Sequence, residues 1–166
     1  ADQRAEKSSR AELGKAMYPA VRDGKAAARW MQANAEDYRL DPDQIAVLGA
    51  SAGAHIAVAL ATTEPGDFRD ELDAKQDPTL PTTHLDQSGQ VAALINLWGG
   101  AVAVDGVADA FGGPSRWDAT DAPALIVHGT DDNIVPIEDG KAIRDRYEST
   151  GVAHEFVPID GAGHGP

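Results

Sequence analysis

Three places in the chain hold residues able to pass an acyl group. The first is Gly49-Ala50-Ser51-Ala52-Gly53, which follows the apolar run Ile45-Ala46-Val47-Leu48 and opens the helical pattern Ala54-His55-Ile56-Ala57. At a sharp strand-to-helix turn, a serine is held in a strained backbone with its hydroxyl exposed, ready to act as a nucleophile. Side chains two places before and after it would collide across such a turn, so Gly49 and Gly53 are both expected to be sterically required. The same pentapeptide would also suit a tightly packed loop or a phosphate cradle, and its surroundings must decide. The second place is His128-Gly129-Thr130-Asp131-Asp132-Asn133. Asp131 or Asp132 could accept a hydrogen bond from an imidazole and fix its tautomer. Short acidic side chains also cap helices, and two aspartates leave one for each task. The third is His164, flanked by Gly163 and Gly165. Glycines on both sides let a loop carry the imidazole within reach of a hydroxyl, as a general base requires.

Positioning these groups falls to an alternation of strands and helices. Continuous apolar runs bounded by turn residues, at 45–48, 91–98, 124–128 and 155–159, predict four buried strands. Helical spacing predicts helices over 21–38, from Ser51 to about Thr62, and over 137–150, where Ile143 and Tyr147 share a face. Trp30 and Met31 read as core contacts on the sheet. Residues 1–17 are charged with a thin apolar stripe and read as a marginal surface helix or frayed lead-in, with Pro19 at the start of the next helix. Residues 63–90 are polar, with turns at Glu64-Pro65-Gly66-Asp67 and Asp77-Pro78, and a loop of that length is usually functional or mobile. Residues 101–122 carry little pattern, with a turn at Gly112-Gly113-Pro114. Strands alternating with helices give an α/β class, a mostly parallel sheet with helices on both faces, in one domain over residues 1–166. In such sheets chemistry collects at the carboxyl ends of strands, and all three candidate places follow a strand.

Composition removes several classes of function. The net charge is −13, from 27 acidic and 14 basic residues, which argues against a nucleic-acid or anionic-membrane partner. There is no cysteine, which excludes disulfides, thiolate metal sites and a cysteine nucleophile. The histidines and aspartates lack ligand spacing, so neither a metal nor an organic cofactor is expected. No apolar run approaches a membrane span, and Ala1-Asp2-Gln3-Arg4-Ala5-Glu6-Lys7 is no signal peptide. Cytoplasmic and secreted locations both stay open.

Order adds specificity. Serine, then acid, then histidine, each after a successive strand of a parallel sheet, resembles the α/β-hydrolases of esterase/lipase type, including carbohydrate-esterase-like carboxylesterases. Four segments carry the resemblance: Tyr18-Pro19-Ala20-Val21-Arg22-Asp23 with Ala28-Arg29-Trp30, Asp41-Pro42-Asp43-Gln44-Ile45-Ala46-Val47, residues 49–57, and residues 128–136 followed by Gly163-His164-Gly165. The resemblance implies that Ser51 is the nucleophile, His164 the base and Asp132 the acid. Asp132 is preferred to Asp131 because the family's His-Gly-Thr-x-Asp-x-x-Val-Pro pattern sets the acid at its fifth place. It also implies an oxyanion donor in the backbone N–H of Ala52, with Gly49 and Gly53 as the elbow glycines. His55, His84, His128 and His154 are then non-catalytic.

Two departures follow. Ala54 stands where the family has a further glycine, which would tighten helix packing. No Gly-Gly pair precedes Ser51, whereas the family places a His-Gly-Gly-type loop upstream for a second oxyanion donor, and four strands are counted where it has about eight. The resemblance therefore implies a partial fold, incomplete at both ends, with an amino-terminal segment supplied by a longer gene product or a separate chain. The implied activity is serine carboxylic-ester hydrolysis through an acyl-enzyme, on a small-molecule ester of short-chain or acetyl type. A prolyl-oligopeptidase-like peptidase is the alternative, although that family carries an aromatic residue where this chain has Ala52. A non-catalytic relative is another, against which all three residues count. Pocket walls are expected from residues 63–90 and 101–122, with Trp98 and Trp117 as candidates.

Overall fold

Four parallel strands pair in chain order: β1 (Ala46–Ala50), β2 (Ala93–Leu97), β3 (Ala124–Gly129) and β4 (His154–Ile159). This is seen in a computed structural model that describes residues 3–69, 73–76, 78–112 and 114–165. The turns expected at Asp77-Pro78 and Gly112-Gly113-Pro114 fall on Asp77 and Gly113, which lie outside the described residues. Each strand lies where an apolar run predicts it. Helices α1 (Gln3–Ala33), α2 (Ala35–Tyr38), α3 (Ala52–Thr62), α4 (Val102–Phe111) and α5 (Ile137–Thr150) accompany them, with a 3₁₀ turn at Leu80–Thr82. Among the described residues no helix is long and apolar enough to cross a membrane.

The register pairs Gly49 with Asn96, Asn96 with Ile126, and Ile126 with Phe156. Val47, Leu94, Ala124 and His128 share that face, since alternate residues point the same way. Helices α3 and α5 both pack on it. The backbone of Gly53 in α3 lies against Gly49, and Gly140 in α5 lies against His128 and Phe156. One core results, joining Val21, Val58, Leu94, Val107, Ile126, Ile143 and Tyr147. Helices on both faces were expected. Among the described residues they cover one, because right-handed crossovers between strands that advance in one direction all return on the same side. On the other face Ile95, Leu97, Leu125, Val127 and Val157 are only partly buried, and Leu48 is 62% exposed. Strand β1, read as a buried run, lies at one edge of the sheet, where a four-stranded sheet was expected to leave it, and its outer side has no partner strand among the described residues.

Of the two readings of residues 1–17, the helix holds over residues 3–17 and the frayed lead-in does not; Pro19 does not start a helix. Both residues 3–17 and Pro19 belong to the continuous α1, with Pro19 on its exposed side. What holds this segment is α4, in a stretch that shows little sequence pattern. A Cβ on Gly14 would lie 2.1 Å from the carbonyl carbon of Gly106, and one on Gly106 would lie 2.4 Å from the Arg10 oxygen. The two backbones touch where neither has a side chain. Lys7 and Arg10 then reach Asp109 at 3.5 Å and 2.9 Å. Gly14→Ala should therefore lower stability by about 1–3 kcal/mol through overpacking, seen as a fall in melting temperature. Helix propensity alone would favour alanine by up to about 1 kcal/mol, so a rise in melting temperature would refute the close crossing.

Trp30 is another correction: it is 44% exposed and packs on Tyr38 at 5.3 Å between ring centres. Helix α1 lies on α3 rather than on the sheet, so Trp30 faces outward and Met31 is half-buried. The inward positions hold cations instead. Buried Lys25 donates to Thr63 Oγ1 at 3.0 Å and to the Glu64 carbonyl, and buried Arg29 donates from Nε to the Thr83 carbonyl at 2.7 Å. Those bonds fasten the 63–90 segment to α1 at two points.

At the foot of β3, burial pushes the Asp121 carboxyl up to about 7; a hydrogen bond from the Asp118 N–H opposes this, and the charges of Asp118 and Glu64 add to it. Between the ordinary value of 3.8 and about 7, the folded chain holds a proton that the unfolded chain has released. Stability therefore falls as pH rises through that window and levels off above it. Asp121→Asn is expected to melt about 3 °C above the wild type at pH 8, and level with it at pH 4.

Candidate functional site

The β1–α3 turn places Ser51 at φ +50°, ψ −121°, a backbone that non-glycine residues adopt at a cost of about 1–3 kcal/mol. Its N–H donates to the Leu97 carbonyl at 3.0 Å, and its carbonyl accepts from the Ala54 N–H at 2.9 Å. The strained conformation is thus locked between β2 and the first turn of α3. Gly49 is needed for this, since a Cβ there would meet the Gly53 oxygen at 2.2 Å. Gly53 is not: a Cβ there would meet nothing within 4 Å. The expected symmetry of the two glycines fails because α3 turns the Gly53 position away from the strand. Ala54 is fully buried, and its methyl is accommodated because residue 99 is glycine, whose own Cβ would lie 2.2 Å from it.

Asp132 follows β3 with its side chain fully buried. Its Oδ1 accepts the N–H groups of Ile134 and Val135 at 2.9 Å and 3.0 Å. Its Oδ2 lies 2.8 Å from His164 Nδ1. Burial pushes this carboxyl up, but the hydrogen bonds from His164, Ile134 and Val135 outweigh that and hold it below the usual carboxylate range. Asp131 is exposed, and its backbone N–H bonds the Ala162 carbonyl at 2.9 Å. Of the two aspartates, Asp132 faces the imidazole.

His164 sits in the loop after β4. Gly161 at φ +69° and Gly165 at φ +97° turn the chain around it. The loop is sewn to the β3 end by the Gly161 N–H on Thr130 Oγ1, at 2.8 Å, and by glycine at 129, whose Cβ would lie 2.3 Å from the Ala162 oxygen. His164 Nε2 lies 2.8 Å from Ser51 Oγ. An ionised Asp132 selects the tautomer with the proton on Nδ1, leaving Nε2 to accept the Ser51 hydroxyl. Ala52 opens α3, so its N–H has no carbonyl one turn back and stands at the positive end of the helix dipole.

Among the described residues no other histidine ring bonds the Ser51 hydroxyl, although His55, one turn into α3, lines the same cavity. Burial lowers the His55 pKa, against the pull of Asp139 and a hydrogen bond to Gly100. His154 bonds the Val152 carbonyl at 2.9 Å, and His84 takes a positive φ in the 63–90 segment. Among the described residues no group of three or more metal-ligating side chains comes together.

A cavity of about 770 Å³ opens from Ser51 and Ala52, walled by Leu13 and Met17 of α1, Val102 of α4 and Ile134. Walls from 101–122 were expected, whereas the α1 walls were not. Among the described residues of 63–90, none lines this cavity. The α1 contribution has no sequence signal, because it depends on the glycine crossing. Trp98, at φ +42°, packs beside Gly165 in the His164 loop, and Trp117 lies further off against Arg146.

Known proteins share this architecture. The chain is 26% identical over 162 residues to Esterase LipC of Mycobacterium tuberculosis, covering 87% of this chain and 40% of LipC. It is 29% identical over 140 residues to the probable carboxylic ester hydrolase LipM of the same organism, covering 75% and 32%. It therefore spans well under half the length of these curated relatives. A butyrate-bound thermophilic esterase from the planctomycete Thermogutta terrifontis superposes with TM-score 0.66 at 26% identity, over 87% of this chain and 55% of that one. A truncated carbohydrate esterase from gut microbiota shares the fold with TM-score 0.67 at 24% identity, over 88% and 61%. The BD-FAE family model matches residues 9–112, which take in most of α1, the Ser51 turn and α4. With well over half of its 166 residues so matched, the chain belongs to the BD-FAE family and carries a partial α/β-hydrolase fold.

Proposed function

We propose that this chain carries the nucleophile, base and acid of a serine carboxylic-ester hydrolase acting on short-chain or acetyl-type esters. Ser51 Oγ attacks the ester carbonyl while His164 Nε2 takes its proton, and Asp132 steadies the imidazolium. Negative charge on the carbonyl oxygen is met by the Ala52 N–H. His164 returns the proton to the leaving alcohol, and water then hydrolyses the acyl-serine. The observation that carries this reading is the unbroken hydrogen-bond path from Ser51 through His164 to Asp132, both links 2.8 Å long. The names of LipC and LipM support ester chemistry, and the butyrate in the Thermogutta terrifontis esterase supports a short acyl group. Ala52 disfavours the peptidase alternative.

The test compares hydrolysis of p-nitrophenyl acetate and butyrate with that of peptide anilides, alongside the intact mass after fluorophosphonate treatment. Ester turnover with a single covalent adduct is the expected result. Faster anilide cleavage would transfer the chemistry to peptides. No adduct and no turnover would leave a non-catalytic relative.

A further inference from the structure

Beneath Asp132 lies a histidine that this mechanism does not use. His128, near the end of β3, has a completely buried side chain. Its Nε2 lies 2.8 Å from the Val135 carbonyl oxygen and 3.4 Å from Asp132 Oδ2. A carbonyl oxygen only accepts, so Nε2 carries the proton and donates it there. Nδ1 is then a bare acceptor, buried and without a partner. Its surroundings are filled by α5, where a Cβ on Gly140 would come within 2.7 Å of it. Glycine alone lets the helix approach so closely, and the ring is clamped between strand and helix.

The clamp acts on the residues that hold the acid. Val135 donates its N–H to Asp132 Oδ1 at 3.0 Å and offers its carbonyl to His128. The turn from Asp132 to Val135 is therefore closed on itself at one end and tied to β3 at the other. We propose that His128 is a positioning residue for Asp132: its Nε2–H, anchored on β3 and backed by Gly140, fixes the loop so that Oδ2 meets His164 Nδ1. The inference rests on the assignment of Asp132 and His164 as acid and base. An unpartnered buried Nδ1 costs free energy, and it persists here in the one ring that ties strand, loop and carboxylate together.

The decisive comparison is His128→Gln against His128→Asn in the full chain. Both put a buried amide in place of the ring, but only glutamine reaches the Nε2 position. Two readouts are taken: kcat and KM on p-nitrophenyl acetate, and the downfield proton resonance of His164 Nδ1–H. His128→Gln should stay within about 5-fold of wild-type kcat, whereas His128→Asn should lose about 100-fold in kcat at little-changed KM, as misplacement by about 1 Å does. The resonance should persist in the glutamine variant and move upfield or broaden in the asparagine one. Equal behaviour of the two variants in both readouts would overturn the proposal. The resonance reports the Asp132–His164 bond without any turnover. A wild type that shows it yet hydrolyses no ester would defeat the proposed function, and the variant resonances would still decide the role of His128.

Discussion

Ser51→Ala is expected to remove ester turnover by about 10⁶-fold while leaving the melting temperature unchanged. The first half follows from geometry, since Ser51 Oγ is the hydroxyl at 2.8 Å from His164 Nε2. The second follows from what the side chain does not do. Ser51 precedes α3 without making a side-chain capping bond, so alanine gives up no helix cap. The positive φ is imposed by Gly49, the Leu97 carbonyl and the first turn of α3, and alanine bears that strain as serine does. Intact mass after fluorophosphonate treatment, p-nitrophenyl acetate hydrolysis and thermal melts read these effects separately. An adduct that survives in the variant would mean that another nucleophile had been labelled, and the assignment of Ser51 would fall.

Asp132→Asn should cost about 10⁴-fold in turnover. Asparagine can keep its oxygen on the N–H groups of Ile134 and Val135, where Oδ1 now accepts at 2.9 Å and 3.0 Å. Its amide nitrogen then faces His164 Nδ1 and donates to it. That donation moves the imidazole proton to Nε2, against the Ser51 hydroxyl, where the ring can no longer take the serine proton. Turning the amide over would set its N–H groups against those of the loop, which is worse. Asp131→Asn is the control and should keep wild-type turnover, because that side chain is exposed and takes its hydrogen bond from Thr130 Oγ1, while the imidazole bonds Asp132. Equal losses in the two variants would overturn the choice of Asp132. Stability should move in a known direction with pH. The depressed Asp132 pKa stabilises the fold above the ordinary carboxylate range, and this is lost as pH falls through the folded value. The stability difference between wild type and Asp132→Asn should therefore shrink toward acid pH.

How much of this was legible in advance depends on the range of the interaction concerned. Ser51, the Asp131-Asp132 pair and His164 each follow an apolar run that becomes a strand, and their order along the chain pointed to a resemblance whose pattern preferred Asp132 before any distance was known. Helix α5 was readable to its ends, with Ile143 and Tyr147 on the buried side, because a regular helix on a sheet prints its period in the residues it buries. Parallel pairing of four strands was legible for the same local reasons. Helix α4 was not, because its centre is Gly106 and its neighbours Ala103, Val104 and Val107 are all buried, which blurs a one-sided period. The amino-terminal half of α1 was legible only as a marginal surface helix or a frayed lead-in, and what anchors it was missed with α4. A helix held by Gly14 against Gly106 is held where side chains are absent, and absence has no periodicity.

The sequence by itself determined which groups are candidates for the chemistry, which strand ends present them, and that the class is α/β. Tertiary structure alone decided that the helices gather on one face, that Trp30 faces outward while Lys25 and Arg29 turn in, and that Gly49 is constrained while Gly53 is free. It also decided that His128 lies under the acid. The reason is that side-chain type and local spacing set what a residue can do, whereas contact between residues distant in sequence sets which of those abilities is used.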